Sequence, residues 1–113
     1  MSLARGDVIL VPFPFSDLTG RKARPAVVLS TREYARRMGD LVVAMLTSAP
    51  RSGPFDCEIR DWARAGLYLP TWARAKLATI TPRLVAARLG RLAPRDLRGV
   101  ERVVRVALFG VRS

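Results

Sequence analysis

The strongest constraint on the fold is a run at residues 8–15 that is apolar on both of its alternating faces. Ile9, Val11 and Phe13 lie on one side of an extended chain, and Val8, Leu10 and Pro12 on the other. Such a strand is covered from both sides, so it belongs to a sheet with apolar material packed on each face. Pro12 and Pro14 lack a backbone donor and place part of the strand at an edge or bend. Ser16, Asp17, Thr19 and Gly20 supply turn chemistry, and residues 16–24 read as an exposed loop carrying Arg21, Lys22 and Arg24. A second apolar run follows at residues 25–29. Two strands with a basic segment between them make a place that can hold a phosphate.

Further strands recur at short intervals. Ser30 and Glu33 have the spacing of a capping box, which predicts a short helix over residues 31–38, ended by Gly39 and Asp40. Residues 41–47 (LVVAMLT) are a third strand. Residues 48–54 hold Pro50, Gly53 and Pro54 around Arg51, a second exposed basic loop. Residues 55–60 alternate as a half-exposed strand. A turn is expected at 61–65, a short strand at 66–69 ended by Pro70, and an alternating strand at 72–80. Residues 84–92 fit either a helix or a strand. From Pro94, a favoured first helical residue, Leu97, Val100, Val104, Ala107, Leu108 and Val111 recur at helical intervals, with Arg95, Arg98, Arg102 and Arg105 largely off that stripe as a solvated face. Gly99 weakens this helix by about 1 kcal/mol relative to alanine, so a packing reason is expected. Strand-rich and single-domain over residues 1–113, the chain predicts a mainly β fold, a small barrel or strongly bent antiparallel sheet with a terminal helix.

The net charge of +11, from 20 basic against 9 acidic residues, points to a polyanionic partner. Lys22 and Lys76 are the only lysines. Guanidinium groups grip phosphates bidentately and stack on bases, so an arginine-rich domain suits nucleic acid. The chain has no histidine and only Cys57 as cysteine. Ser-His-Asp chemistry, a paired-histidine mechanism and a Cys/His zinc site are thereby excluded, and no cofactor is expected. Cys57 reads as a small buried apolar residue, and its solitude fits a reducing cytoplasm. No run reaches the roughly 18 to 20 apolar residues that span a membrane, and the N-terminus lacks the hydrophobic region of a secretory signal.

Gly6, Asp7, Arg24, Pro25 and Ser30 within GDVILVPFPFSDLTGRKARPAVVLS, followed by AMLTSAPRSGPFDCEI, give the chain its resemblance to the MazF/PemK toxins of type II toxin–antitoxin systems. The likeness extends over nearly the whole chain. It implies an SH3-like barrel, a homodimer, a cognate antitoxin partner and metal-independent cleavage of single-stranded RNA, usually mRNA. By matching position it implies Arg24 and Thr47 as catalytic residues, with Ser48 beside them. The loops carrying Ser16, Asp17, Thr19, Arg21 and Lys22, and Ser48 with Arg51, would border the RNA groove.

The chemistry suits these residue types. A phosphorane transition state gathers charge on its non-bridging oxygens, which a fixed guanidinium stabilises. Pro25 holds Arg24 to extended backbone geometry. A guanidinium stays protonated at neutral pH, so it donates and does not act as the base. The acidic-Gln pair of many family members is matched here by Thr71-Trp72, which disfavours a carboxylate mechanism. Trp72 is either a platform for an unpaired base or a packing residue, and Arg74 is at best a secondary phosphate contact. Asp17 reads as a turn former rather than a base. Two rivals remain at this stage: a non-catalytic SH3-like RNA-binding module, and a gyrase-targeting toxin like CcdB.

Overall fold

A computed structural model describes residues 2–12 and 23–111. Six strands, β1 (Asp7–Pro12), β2 (Ala23–Val28), β3 (Leu41–Thr47), β4 (Asp56–Ile59), β5 (Thr71–Ile80) and β6 (Ala87–Arg91), form one sheet. Helix α1 (Arg32–Met38) joins β2 to β3, and α2 (Pro94–Phe109) follows β6. The strand order is β4-β5-β3-β2-β1-β6, with every pairing antiparallel.

Both faces of this sheet are covered, which is why its central strands read as unbroken apolar runs. Ile9, Val11, Ala26, Val28, Val43 and Met45 pack on one face, closed over by Leu3, Ala35 of α1 and Val85. Val8, Val27, Ala44, Leu46 and Ala73 pack on the other, beneath Leu97, Val100 and Val104 of α2. Each fully buried Val, Leu or Ile contributes roughly 1.5 to 3 kcal/mol. The helical stripe expected in α2 is used only along its first part: Leu108 is exposed, and Val111 lies past the helix end. Gly99 has its packing reason, because a Cβ there would stand 2.7 Å from the Cys57 sulfur. Cys57 itself is half-buried rather than fully enclosed, and that burial pushes its thiol above the ordinary value.

The sheet is open. Among the described residues, β4 and β6 are its two edges and do not pair with one another, so the hydrogen bonding does not close a barrel. A close backbone contact bridges the edges instead. The turn after β4 rests on β6, and a Cβ on Gly66 would lie 2.0 Å from the Leu89 carbonyl oxygen. A Cβ on Gly90 would lie 2.3 Å from the carbonyl oxygen of Ala65. Gly66 also has φ +84°, a left-handed conformation natural only to glycine. This corrects the strand expected at residues 66–69. The Ala65 amide donates to Asp61 O and the Leu67 amide to Trp62 O, winding the segment into a turn. Residues 84–92, ambiguous in sequence, divide into a 3-10 turn (Pro82–Leu84) and β6.

Two buried carboxylates tie the ends of the chain to the sheet. Asp7, only 2% exposed, accepts from the Ala4 amide and from Arg88 and Arg91 of β6. Asp96, 3% exposed, accepts the amides of Arg60 and Asp61 at 2.9 Å each and so fixes the start of α2 to the end of β4. The α1 cap also differs from expectation. Thr31, not Ser30, is the N-cap and accepts the Tyr34 amide. The Ser30 hydroxyl accepts the Val42 amide at 2.9 Å, because it stands beside β3 rather than at the helix start.

Gly66→Ala is expected to destabilise the fold by about 3 kcal/mol or more in urea unfolding, combining left-handed strain with a backbone clash. A loss below about 1 kcal/mol would show that the contact is not tight. Burial would raise the Asp7 carboxyl, but the Ala4 amide and the two guanidinium groups outweigh it and hold it below its ordinary value. Its network therefore stabilises the fold above the unfolded carboxyl value of about 3.9 and is lost as pH falls through the lower folded value. Asp7→Asn should cost about 2 to 3 kcal/mol at neutral pH and progressively less below about pH 4. An unchanged difference between the two proteins across that range would exclude this linkage.

Candidate active site

The antiparallel registers bring the ends of four strands, β1, β2, β3 and β5, together at one end of the sheet. Val11 pairs with Arg24, and Thr47 pairs with Trp72. The β2–β3 register, Ala26 opposite Met45, places Arg24 level with Thr47 two residues further along. A cleft of about 300 Å³ opens here, lined by Arg24, Thr47, Ser48, Thr71 and the Gly66–Leu69 segment over an apolar floor that includes Leu10, Leu46 and Leu89. Among the described residues that line it, none is acidic.

Arg24 begins this arrangement as the second residue of β2, its backbone held extended by Pro25. Its Nε is buried and has no hydrogen-bond partner among the described residues. An unsatisfied buried donor costs about 1 to 3 kcal/mol, so a group left in that state points to an anion that completes it. Thr47 is the last residue of β3, and its hydroxyl oxygen accepts the Ala49 amide at 3.1 Å. That bond orients the side chain and leaves the hydroxyl proton free to donate. Thr71, 3% exposed, has the complementary state: its hydroxyl donates to the Leu69 carbonyl at 2.8 Å, so its proton is already committed. The cleft thus presents a cation and a hydroxyl donor, with no carboxylate among its described lining residues.

The other residues singled out in the sequence fall elsewhere. Ser48 is on the exposed rim of the cleft, whereas Arg51 is exposed in the loop beyond β3 and does not line it. Trp72 is half-buried, between Thr47 and Glu58 in its cross-strand row, and does not line the cleft either. Arg74 directs its Nε to Asp56 at 3.1 Å, away from this centre. Ser16, Asp17, Thr19, Arg21 and Lys22 lie outside the described residues. Tyr68 and Leu69 went unnoticed, because an apolar Leu67-Tyr68-Leu69 run before Pro70 imitates a strand. The signal that could have found them was the aromatic between Gly66 and Pro70, two turn-forming residues.

Sheet, helices and cleft together define a mainly β protein with Arg24 and Thr47 in one cleft at the ends of its strands. The chain belongs to the PemK-like, MazF-like toxins of type II toxin–antitoxin systems, whose family profile matches residues 4–108. Its fold is shared with an endoribonuclease from a mycobacterial species in complex with its cognate antitoxin. The two chains are 23% identical, with 94% of each covered and a TM-score of 0.76. MazF from Deinococcus radiodurans is 21% identical over 98% of this chain and 99% of that one, with a TM-score of 0.76. A MazE–MazF structure from the same organism is 19% identical over 96% and 97%, with a TM-score of 0.75. At these identities the likeness is one of fold. No curated protein sequence matches the chain.

Replacing Arg24 separates the stability cost of its buried Nε from any role in binding. Arg24→Met, similar in length and apolar, should raise the unfolding free energy by about 1 kcal/mol while weakening binding of single-stranded RNA. A destabilised variant in urea unfolding would mean that Nε is satisfied in the free protein.

Proposed function

We propose that this toxin is a metal-independent endoribonuclease that cleaves single-stranded RNA and is held inactive by a cognate antitoxin. The observation that carries the reading is that, among the described residues, a buried Arg24 Nε without an acceptor and a Thr47 hydroxyl proton without one share a cleft lined by no acid. A scissile phosphate seated there accepts from both. The ribose 2′-oxygen attacks the adjacent phosphorus, forming a 2′-O–P bond, and its proton leaves to water. The P–O5′ bond breaks, the departing oxygen takes a proton from solvent, and the products are a 2′,3′-cyclic phosphate and a 5′-hydroxyl. Arg24 stabilises the charge that grows on the non-bridging oxygens, while Thr47 donates to one of them and fixes the phosphate. No side-chain base is required of either residue.

The same field explains the partner. An acidic or amphipathic antitoxin segment would occupy the cleft in competition with RNA. The neighbours of known fold include proteins described with a cognate antitoxin or with MazE, which supports this assignment. We read the open, curled sheet as an SH3-like barrel whose seam is the Gly66–Leu89 contact. The working unit is a homodimer in the cytoplasm, with two clefts along one groove bordered by residues 48–54. Among the described residues no helix is long and apolar enough to cross a membrane.

Incubating the protein with a long unstructured RNA and mapping new 5′-hydroxyl ends tests the reading. Wild type should cut at a limited set of steps, with an apparent KM that rises steeply with salt. Arg24→Ala and Thr47→Ala should each lower kcat by about 100-fold or more. RNA left intact by wild type would indicate a binding module instead, and undiminished cleavage by Arg24→Ala would sink the mechanism.

A further inference from the structure

Tyr68 stands out once the cleft is assembled. It is 91% exposed, yet it is one of the residues that line the cleft with Arg24 and Thr47. Its neighbour Leu69 is also largely exposed, at 58%. The fold itself makes little use of that ring: Leu67, one residue before, is the side chain of this segment that enters the core.

The backbone carrying Tyr68 is held on both sides. Before it, Gly66 lies against the Leu89 carbonyl, and the Leu67 amide donates to Trp62 O at 3.1 Å. After it, Pro70 restricts the chain, and the buried Thr71 hydroxyl donates to the Leu69 carbonyl. A bare aromatic on a pinned segment loses little conformational freedom when something stacks on it.

We propose that Tyr68 is the stacking platform for an unpaired base next to the phosphate held by Arg24, and so a determinant of substrate position in the cleft. This rests on the ribonuclease reading. The partner is RNA rather than protein because, among the described residues, the ring shares its cleft with a buried Arg24 Nε that lacks an acceptor and with no carboxylate, in a chain of net charge +11. Phosphate on the cation and base on the ring are the two halves of one nucleotide step. Trp72, the other candidate platform, is half-buried in β5 and does not line the cleft.

The test begins with an RNA oligonucleotide spanning a mapped cleavage step, blocked by a 2′-O-methyl group at the attacking ribose. Tyr68→Ala should bind it about 5- to 100-fold more weakly than wild type, while its urea unfolding curve stays that of wild type because the ring is exposed. Tyr68→Phe, which keeps the ring, should bind like wild type. When the bases flanking the step are replaced in turn by abasic sites, one replacement should make wild type and Tyr68→Ala bind alike. Equal binding by Tyr68→Ala to the intact probe overturns the proposal. So does an undiminished penalty on both abasic probes, or a loss confined to antitoxin binding. If wild type leaves RNA uncut, the ribonuclease reading fails and the platform falls with it. Normal wild-type cleavage with an unaffected Tyr68→Ala overturns the platform alone.

Discussion

The close approach of Gly66 to the Leu89–Gly90 backbone is the contact on which most of this structure depends. A six-stranded antiparallel sheet has two edges, and here they are β4 and β6. Without hydrogen bonds between them, they are brought together by a turn whose backbone fits only because neither Gly66 nor Gly90 has a side chain. That contact curls the sheet around its second apolar cluster and carries residues 66–69 across to the strand ends. The cleft is a consequence, because one of its walls is the turn that joins the edges.

Polar satisfaction divides the chain into scaffold and site. Asp7 and Asp96 are buried, and each is saturated by donors that bind a terminal segment to the sheet. Asp56 and Asp61 are occupied as well, with Arg74 and Arg95. With these four acids committed to structure, the cleft keeps its positive field. Arg24 is the exception, a buried nitrogen without a partner. The stability forgone at that atom is consistent with a group whose partner is a substrate.

Much of the fold was legible because its signals are local. Residues 41–47 were read as a strand with the observed bounds, and Pro94 was read correctly as the start of the last helix. Gly99 announced a close contact without naming Cys57. Errors arose where a long-range contact overruled a local pattern. Residues 66–69 look like a strand, but Gly66 needs a left-handed conformation to meet β6. Ser30 has the spacing of a helix cap, but the Val42 amide on a neighbouring strand claims its hydroxyl. Leu108 continues the apolar stripe of α2 after the sheet beneath it has ended.

The opening run at residues 8–15 and the strands after it determined, by sequence alone, that the chain would form a sheet covered on both faces. Charge pointed to a polyanion partner, and the absence of histidine limited the side chains left for chemistry. Arg24 and Thr47 were named through likeness to a family, since nothing local separates one arginine from the others in so basic a chain. Only the tertiary structure made them level across adjacent strands and left Nε without an acceptor among the described residues. It alone placed Tyr68 beside them, 44 residues from Arg24 by subtraction of their positions. Register and burial are properties of pairs distant in the chain, and no local pattern encodes them.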